Sequence, residues 1–141
     1  MFALDSRLKN DTLFLGDLPL SRVLLANDSH YPWVILVPRR AEVSEVFQLD
    51  ASDQQQLWKE TTQVASALNT VFAADKINVA ALGNVVKQLH MHVVARFETD
   101  AAWPGPIWGK LPATPYCADG LAEMKARLDV ALAGLDWKAA E

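Results

Sequence analysis

The chain has 141 residues, 51% of them apolar, 21% charged and 9% aromatic, which is the profile of one globular domain able to bury a core without staples. A formal net charge of −4 excludes a global basic field that would recruit nucleic acid, so an anionic ligand would need a local site. One cysteine, Cys117, excludes an internal disulfide and a cysteine-based zinc site.

The opening MFALDSRL lacks the basic start and long apolar stretch of a secretory signal. No apolar run approaches the length of a bilayer span, and a cytoplasmic location is expected. Residues 4–12 read as a short helix or coil. Ser21–Ala26 (SRVLLA) reads as a strand, stopped by the turn formers Asn27-Asp28-Ser29. Trp33–Val37 is a second strand, rich in β-branched residues and ended by Pro38. The two are expected to pair as a hairpin across residues 27–32. Ser52 and Gln55 resemble a capping box, and Leu57, Thr61, Val64, Leu68, Val71 and Phe72 recur at helical spacing, predicting a helix over about 52–74. Lys76–Leu82 reads as a third strand, Gly83-Asn84 as a turn and Gln88–Phe97 as a fourth strand. Trp103–Gly109 holds too much proline for regular structure. Asp119 is the expected cap of a last helix carrying Leu121, Met124, Leu128, Leu132 and Leu135, with Gly134 near its end. The expected fold class is α+β: one domain, residues 1–141, with an antiparallel sheet, one long helix and a C-terminal helix packed on it.

Chemistry concentrates in Gln88-Leu89-His90-Met91-His92-Val93-Val94, which holds two of the three histidines of the chain. Side chains alternate along a strand, so Gln88, His90 and His92 would share one face while Leu89, Met91 and Val93 face the helix. From spacing alone three readings stay open. The residues could be ordinary polar groups on a solvated face. The two imidazoles could hold a metal, although zinc wants a third ligand and no paired Asp, Glu or Cys lies nearby in sequence. Or one imidazole could act as nucleophile or base, since two neighbouring rings resist double protonation and at least one stays neutral.

The same stretch resembles the signature of the histidine triad (HIT) superfamily, His-φ-His-φ-His-φ-φ with φ apolar, except that Gln88 stands where the first histidine is expected. Gly83-Asn84-Val85-Val86-Lys87 resembles the turn before the triad strand, and Trp33–Arg39 resembles the upstream strand that ends in Val-φ-Pro-Lys/Arg. The likeness covers about residues 15–100, leaving 101–141 unassigned. It implies an enzyme, a nucleotide hydrolase or nucleotidyl transferase, in which His90 attacks the α-phosphorus and carries the nucleotide as a nucleotidyl-histidine. Nε2 would be the attacking atom if a backbone carbonyl holds Nδ1–H. His92 is then expected beside the phosphate oxygens or leaving group, and Asn84 as an amide donor to phosphate. Asn27 and Asp28 are expected near the ribose and base, with Asp28 suited to a ribose hydroxyl, though both are also ordinary turn formers. Substrates of the implied class are purine nucleotides in P–O–P or P–N linkage: dinucleoside polyphosphates, nucleoside phosphoramidates and adenylylated species. No cofactor or metal is required, although magnesium could accompany a polyphosphate. A homodimer is the implied assembly; no nucleic acid or membrane partner is expected.

Three departures bear on activity. Gln88 cannot titrate, whereas histidine can. Trp33 occupies an upstream position where many relatives carry a further histidine, and Val85 stands where several place Ser or Thr. We expect Gln88 and Trp33 to be coupled, with the indole N–H bonded to the Gln88 amide oxygen. Trp103 or Trp108 could shape the leaving-group side. The rival reading is a nucleotide-binding sensor of the same fold whose catalysis has weakened.

Overall fold

Alternating apolar runs, one long helical periodicity and turn-forming punctuation resolve into six strands, three helices and a 3-10 turn in a computed structural model that describes residues 1–141. Helix α1 (Ser6–Asp11) is capped by Asp5, whose carboxylate accepts from the Arg7 amide at 2.8 Å. Strands β1 (Thr12–Asp17), β2 (Ser21–Ala26) and β3 (Trp33–Pro38) follow as two successive antiparallel hairpins. The 22-residue helix α2 (Ala51–Phe72) crosses back, then β4 (Lys76–Ala80) and β5 (Met91–Arg96) complete the main sheet. Helix α3 (Ala118–Leu132) and the two-residue β6 (Lys138–Ala139) end the chain. The sheet is antiparallel throughout, in the order β4-β5-β3-β2-β1-β6.

The two sheet faces do different work. Helix α2 lays Leu57, Val64, Leu68 and Phe72 on one face, joined by Leu128 and Leu132 of α3. The strands answer with Val23, Leu25, Val34, Leu36, Met91, Val93 and Ala95. Each of these Val, Leu, Met and Phe side chains, fully buried, contributes about 1.5–3 kcal/mol. Alternation sends Leu24, Ala26, Ile35 and Val37 to the opposite face, where Phe2, Leu4 and Leu8 cover them. His92 lies on that second face, its backbone in register with Ile35. The α+β expectation and the 27–32 hairpin are therefore met.

Several boundaries differ from expectation for identifiable reasons. Strand β1 falls in a stretch given no strand above. Its side chains are partly exposed, and a bulge between Phe14 and Gly16 breaks its alternation. Gly16 is required there: a Cβ would lie 2.5 Å from the Lys138 carbonyl oxygen and 2.8 Å from the Trp137 ring, blocking β6. The cap of α2 is Asp50, which accepts from the Asp53 amide at 2.8 Å; Ser52 lies inside the helix and donates to Asp50. The cap of α3 is Cys117 rather than Asp119; its Sγ accepts from the Gly120 amide at 3.3 Å. Asp119 sits in the first turn, where its charge suits the helix dipole. The triad strand begins at Met91, not Gln88, because β4 ends at Ala80, paired with His92, and the ladder to β3 stops at the pair of Leu36 with Met91 although β3 itself runs on to Pro38.

Candidate functional site

His90 sits just before the first ladder residue of β5 and is only 5% exposed. Its Nδ1 lies 2.7 Å from the Gln88 carbonyl oxygen. A carbonyl can only accept, so Nδ1 carries the proton and the Nε2 lone pair is left free. Gly83 makes room for this ring: a Cβ there would lie 3.2 Å from Cε1 of His90 and 2.6 Å from the Val86 carbonyl oxygen. The expected tautomer of His90 is the one the geometry selects.

His92 packs edge-on to His90, with ring centroids 4.8 Å apart and planes at 70°. Its two nitrogens are both engaged inside the protein. Nδ1 accepts from the Trp33 indole N–H at 3.0 Å, and Nε2–H donates to the Leu82 carbonyl at 3.0 Å. The indole N–H cannot accept, so it fixes Nδ1 as the unprotonated nitrogen and the ring as neutral. Burial pushes the His92 imidazole down to about 4; the adjacent His90 works in the same direction, while the Leu82 carbonyl opposes it. Trp33 reaches His92 on a diagonal, because its backbone partner is Val94, two residues further along the same face.

The expected bond between Trp33 and Gln88 is not formed. The Gln88 side chain turns to the start of the chain, accepting from the Asp5 amide at 2.8 Å and donating to the Ala3 carbonyl at 2.8 Å. The reason is local. Gln88 precedes the ladder, so strand alternation does not govern its direction, and residues 3–5 offer a donor and an acceptor that match an amide. What Gln88 supplies to His90 is its backbone carbonyl.

Two recesses meet at His90. The larger, about 430 Å³, runs from the two histidines past Trp33 and Ile35 to Asn27 and Asp28. That is within the size range of small-ligand sites. Asp28 is 4% exposed; its Oδ1 accepts from the His30 and Thr114 amides and lies 2.6 Å from Nδ1 of His30. The Asn27 side-chain oxygen accepts from the Tyr116 amide at 3.0 Å. Both residues thus line the recess while tying it to a later segment. The smaller recess, about 70 Å³, is polar: Ser44, Glu45, Asn84 and Lys87 flank His90 there. Asn84 therefore lines a different recess at His90 from the one Asp28 lines. Val85 is 77% exposed and lines neither recess. Of the two tail tryptophans, Trp108 packs edge-on against His92 at 5.2 Å, whereas Trp103 lies over the Arg96 guanidinium at 5.7 Å.

Sequence reasoning missed two walls of the large recess. One is α1 with its exit, contributing Leu8, Asn10, Asp11 and Thr12; the other is Ala113 and Pro115. The Pro-x-x-Pro spacing of Pro112 and Pro115 signals an extended segment, but nothing local says what it covers.

A HIT domain model matches residues 7–99. The chain belongs to the HIT family. Among solved structures this HIT protein resembles a histidine triad protein from Marinobacter aquaeolei VT8 at 47% identity and TM-score 0.93, covering 96% of this chain and 98% of that one. It resembles another from Bradyrhizobium japonicum at 45% identity and TM-score 0.89, covering 92% and 97%. A third, from Sinorhizobium meliloti 1021, is 46% identical with TM-score 0.90, covering 94% and 98%. No curated protein matches it. The HIT family includes nucleotide-binding proteins, hydrolases and transferases. No group of three or more His, Cys, Asp or Glu side chains converges in this HIT protein as a metal site would need. No helix is long and apolar enough to cross a membrane.

Proposed function

We propose that this HIT protein is a nucleotide hydrolase or nucleotidyl transferase that works through a nucleotidyl-histidine on His90. The observation that carries the reading is a buried imidazole whose Nδ1 proton is held by the Gln88 carbonyl, with Nε2 free where two recesses meet. The large recess takes the nucleoside, with the unbonded Oδ2 of Asp28 available to a ribose hydroxyl. The polar recess takes the leaving group, with Asn84 and Lys87 as donors. In the first step Nε2 forms a bond to the α-phosphorus and the bond to the leaving oxygen or nitrogen breaks, its electron pair going with the leaving group. In the second, water or another acceptor forms the new P–O bond, the P–N bond breaks with its electrons returning to Nε2, and the acceptor's proton passes to solvent. Purine nucleotides and dinucleoside polyphosphates are the substrates we assign, with magnesium accompanying a polyphosphate and no resident cofactor. We assign a cytoplasmic homodimer, the open edge of β4 and the exposed Trp58 of α2 being the surfaces available for pairing.

A second reading, binding without turnover, is favoured by one observation: of the residues at the three triad positions, only His90 keeps a free ring nitrogen. A single-turnover reaction with α-labelled diadenosine polyphosphate and adenosine phosphoramidate, quenched so as to preserve phosphohistidine, separates the two. Label trapped on the wild type and absent from His90→Asn is the expected result. Tight nucleotide binding without trapped label or product establishes the binding reading instead, and neither binding nor turnover overturns both.

A further inference from the structure

Gln88 makes three contacts, and the two from its side chain are ones that the triad chemistry does not require. Its side-chain amide pairs with the Ala3 carbonyl and the Asp5 amide, both at 2.8 Å. Its backbone carbonyl accepts from Nδ1 of His90. The residues it grips lead directly into a wall of the large recess. Asp5 caps α1, and α1 contributes Leu8, Asn10 and Asp11 to that wall. The far end of α1 is pinned in turn, since the Asp11 carbonyl accepts from the Asn27 amide at 3.0 Å.

Beyond Gln88 the gripped segment is held by partial packing and by the Arg22 guanidinium, 5.6 Å from the centre of the Phe2 ring. Ala3 and Arg7 are exposed, and Phe2 and Leu4 are only half-buried against the second sheet face. Arg7 adds one bond, from Nη1 to the Val85 carbonyl at 3.1 Å, again on the loop that leads to Gln88. The N–H and the lone pair of a neutral imidazole point in widely divergent directions, so the ring could not offer a donor and an acceptor side by side as a primary amide does. Glutamine suits this position because it pairs with peptide backbone and does so without titrating.

We propose that Gln88 is a positioning residue that clamps residues 3–5 so that α1 forms one wall of the large recess, and that this clamp supports nucleotide binding there. The second half rests on the nucleotide reading given above. Nucleotide affinity is then more sensitive to Gln88 than is the rate of phosphohistidine formation, because the carbonyl that orients His90 is main chain and survives substitution.

The test uses Gln88→Met, which keeps length and removes both bonds, and Gln88→Glu, which keeps the acceptor for Asp5 and loses the donor to Ala3. Residue-resolved amide exchange is read without ligand, and AMP affinity and single-turnover rate are read alongside. The Asp5 amide is expected to exchange at least tenfold faster in Gln88→Met and by an intermediate factor in Gln88→Glu. AMP affinity is expected to weaken in that order, by several-fold in Gln88→Met, with the single-turnover rate at saturation falling less. Unchanged Asp5 exchange in both variants overturns the clamp. Faster exchange with unchanged AMP affinity overturns the link to the recess. Failure of AMP to bind the wild type overturns the nucleotide reading and the second half with it, while Asp5 exchange still decides the clamp.

Discussion

Replacing Trp33 by Phe removes the indole N–H that Nδ1 of His92 accepts, together with part of a half-buried ring. In the wild type, protonating Nδ1 would break that bond and set two N–H groups against each other. In Trp33→Phe the lone pair is free. A neutral buried hydrogen bond is worth about 1 kcal/mol net, and leaving an acceptor unpaired costs about 1–3 kcal/mol. Stability at neutral pH is therefore expected to fall by about 1–2 kcal/mol. The same bond, no longer opposing protonation, lets His92 titrate higher than its wild-type value of about 4 by a little under one pH unit. The assay is long-range 1H–15N correlation of the histidine rings through pH 3.5–8, run on both proteins. The wild-type spectrum should show His92 protonated at Nε2 alone and titrating far below the ordinary imidazole value of 6.5. A wild-type His92 that titrates near 6.5, or a Trp33→Phe spectrum in which it titrates unchanged, would refute the argument that the indole locks the ring.

Because the folded His92 is depressed below its ordinary 6.5, the unfolded chain takes the proton first. Its stabilising contribution is present above about pH 6.5 and is lost as pH falls toward 4, amounting to about 3 kcal/mol over that window; chemical denaturation of wild type and His92→Asn at several pH values should show the difference. Gly83→Ala would push a methyl against Cε1 of His90 and the Val86 carbonyl, so single turnover is expected to slow by about 100-fold, with little effect on global unfolding midpoint if the loop yields. Asp28→Ala strips a buried acceptor from the His30 and Thr114 amides, with an expected loss of about 2–4 kcal/mol in denaturant unfolding and weaker AMP binding by calorimetry. Sedimentation should report a dimer that Trp58→Glu weakens, since that ring is 59% exposed on α2; a monomer at all concentrations would refute the assembly.

Much of this protein is legible from local pattern because the physics there is local. The period of α2 comes from Leu57, Val64 and Leu68 spaced to reach one sheet face, and β2 and β3 are bounded by residues that cannot continue a strand. The placement of His92 opposite Met91 and Val93 needs only alternation. Strand β1 was illegible because its bulge and partly exposed side chains erase that alternation. The partners of the site residues were illegible for a different reason. Whether His92 is an acid or a locked neutral ring depends on Trp33, fifty-nine residues away, and on the carbonyl of Leu82. Whether Gln88 faces Trp33 or the start of the chain depends on where the β5 ladder stops and on residues 3–5 lying within reach of its amide. Hydrogen bonds are short-ranged and directional, so residue type states what each group could do, and only the folded chain decides which partner stands within 3 Å of it.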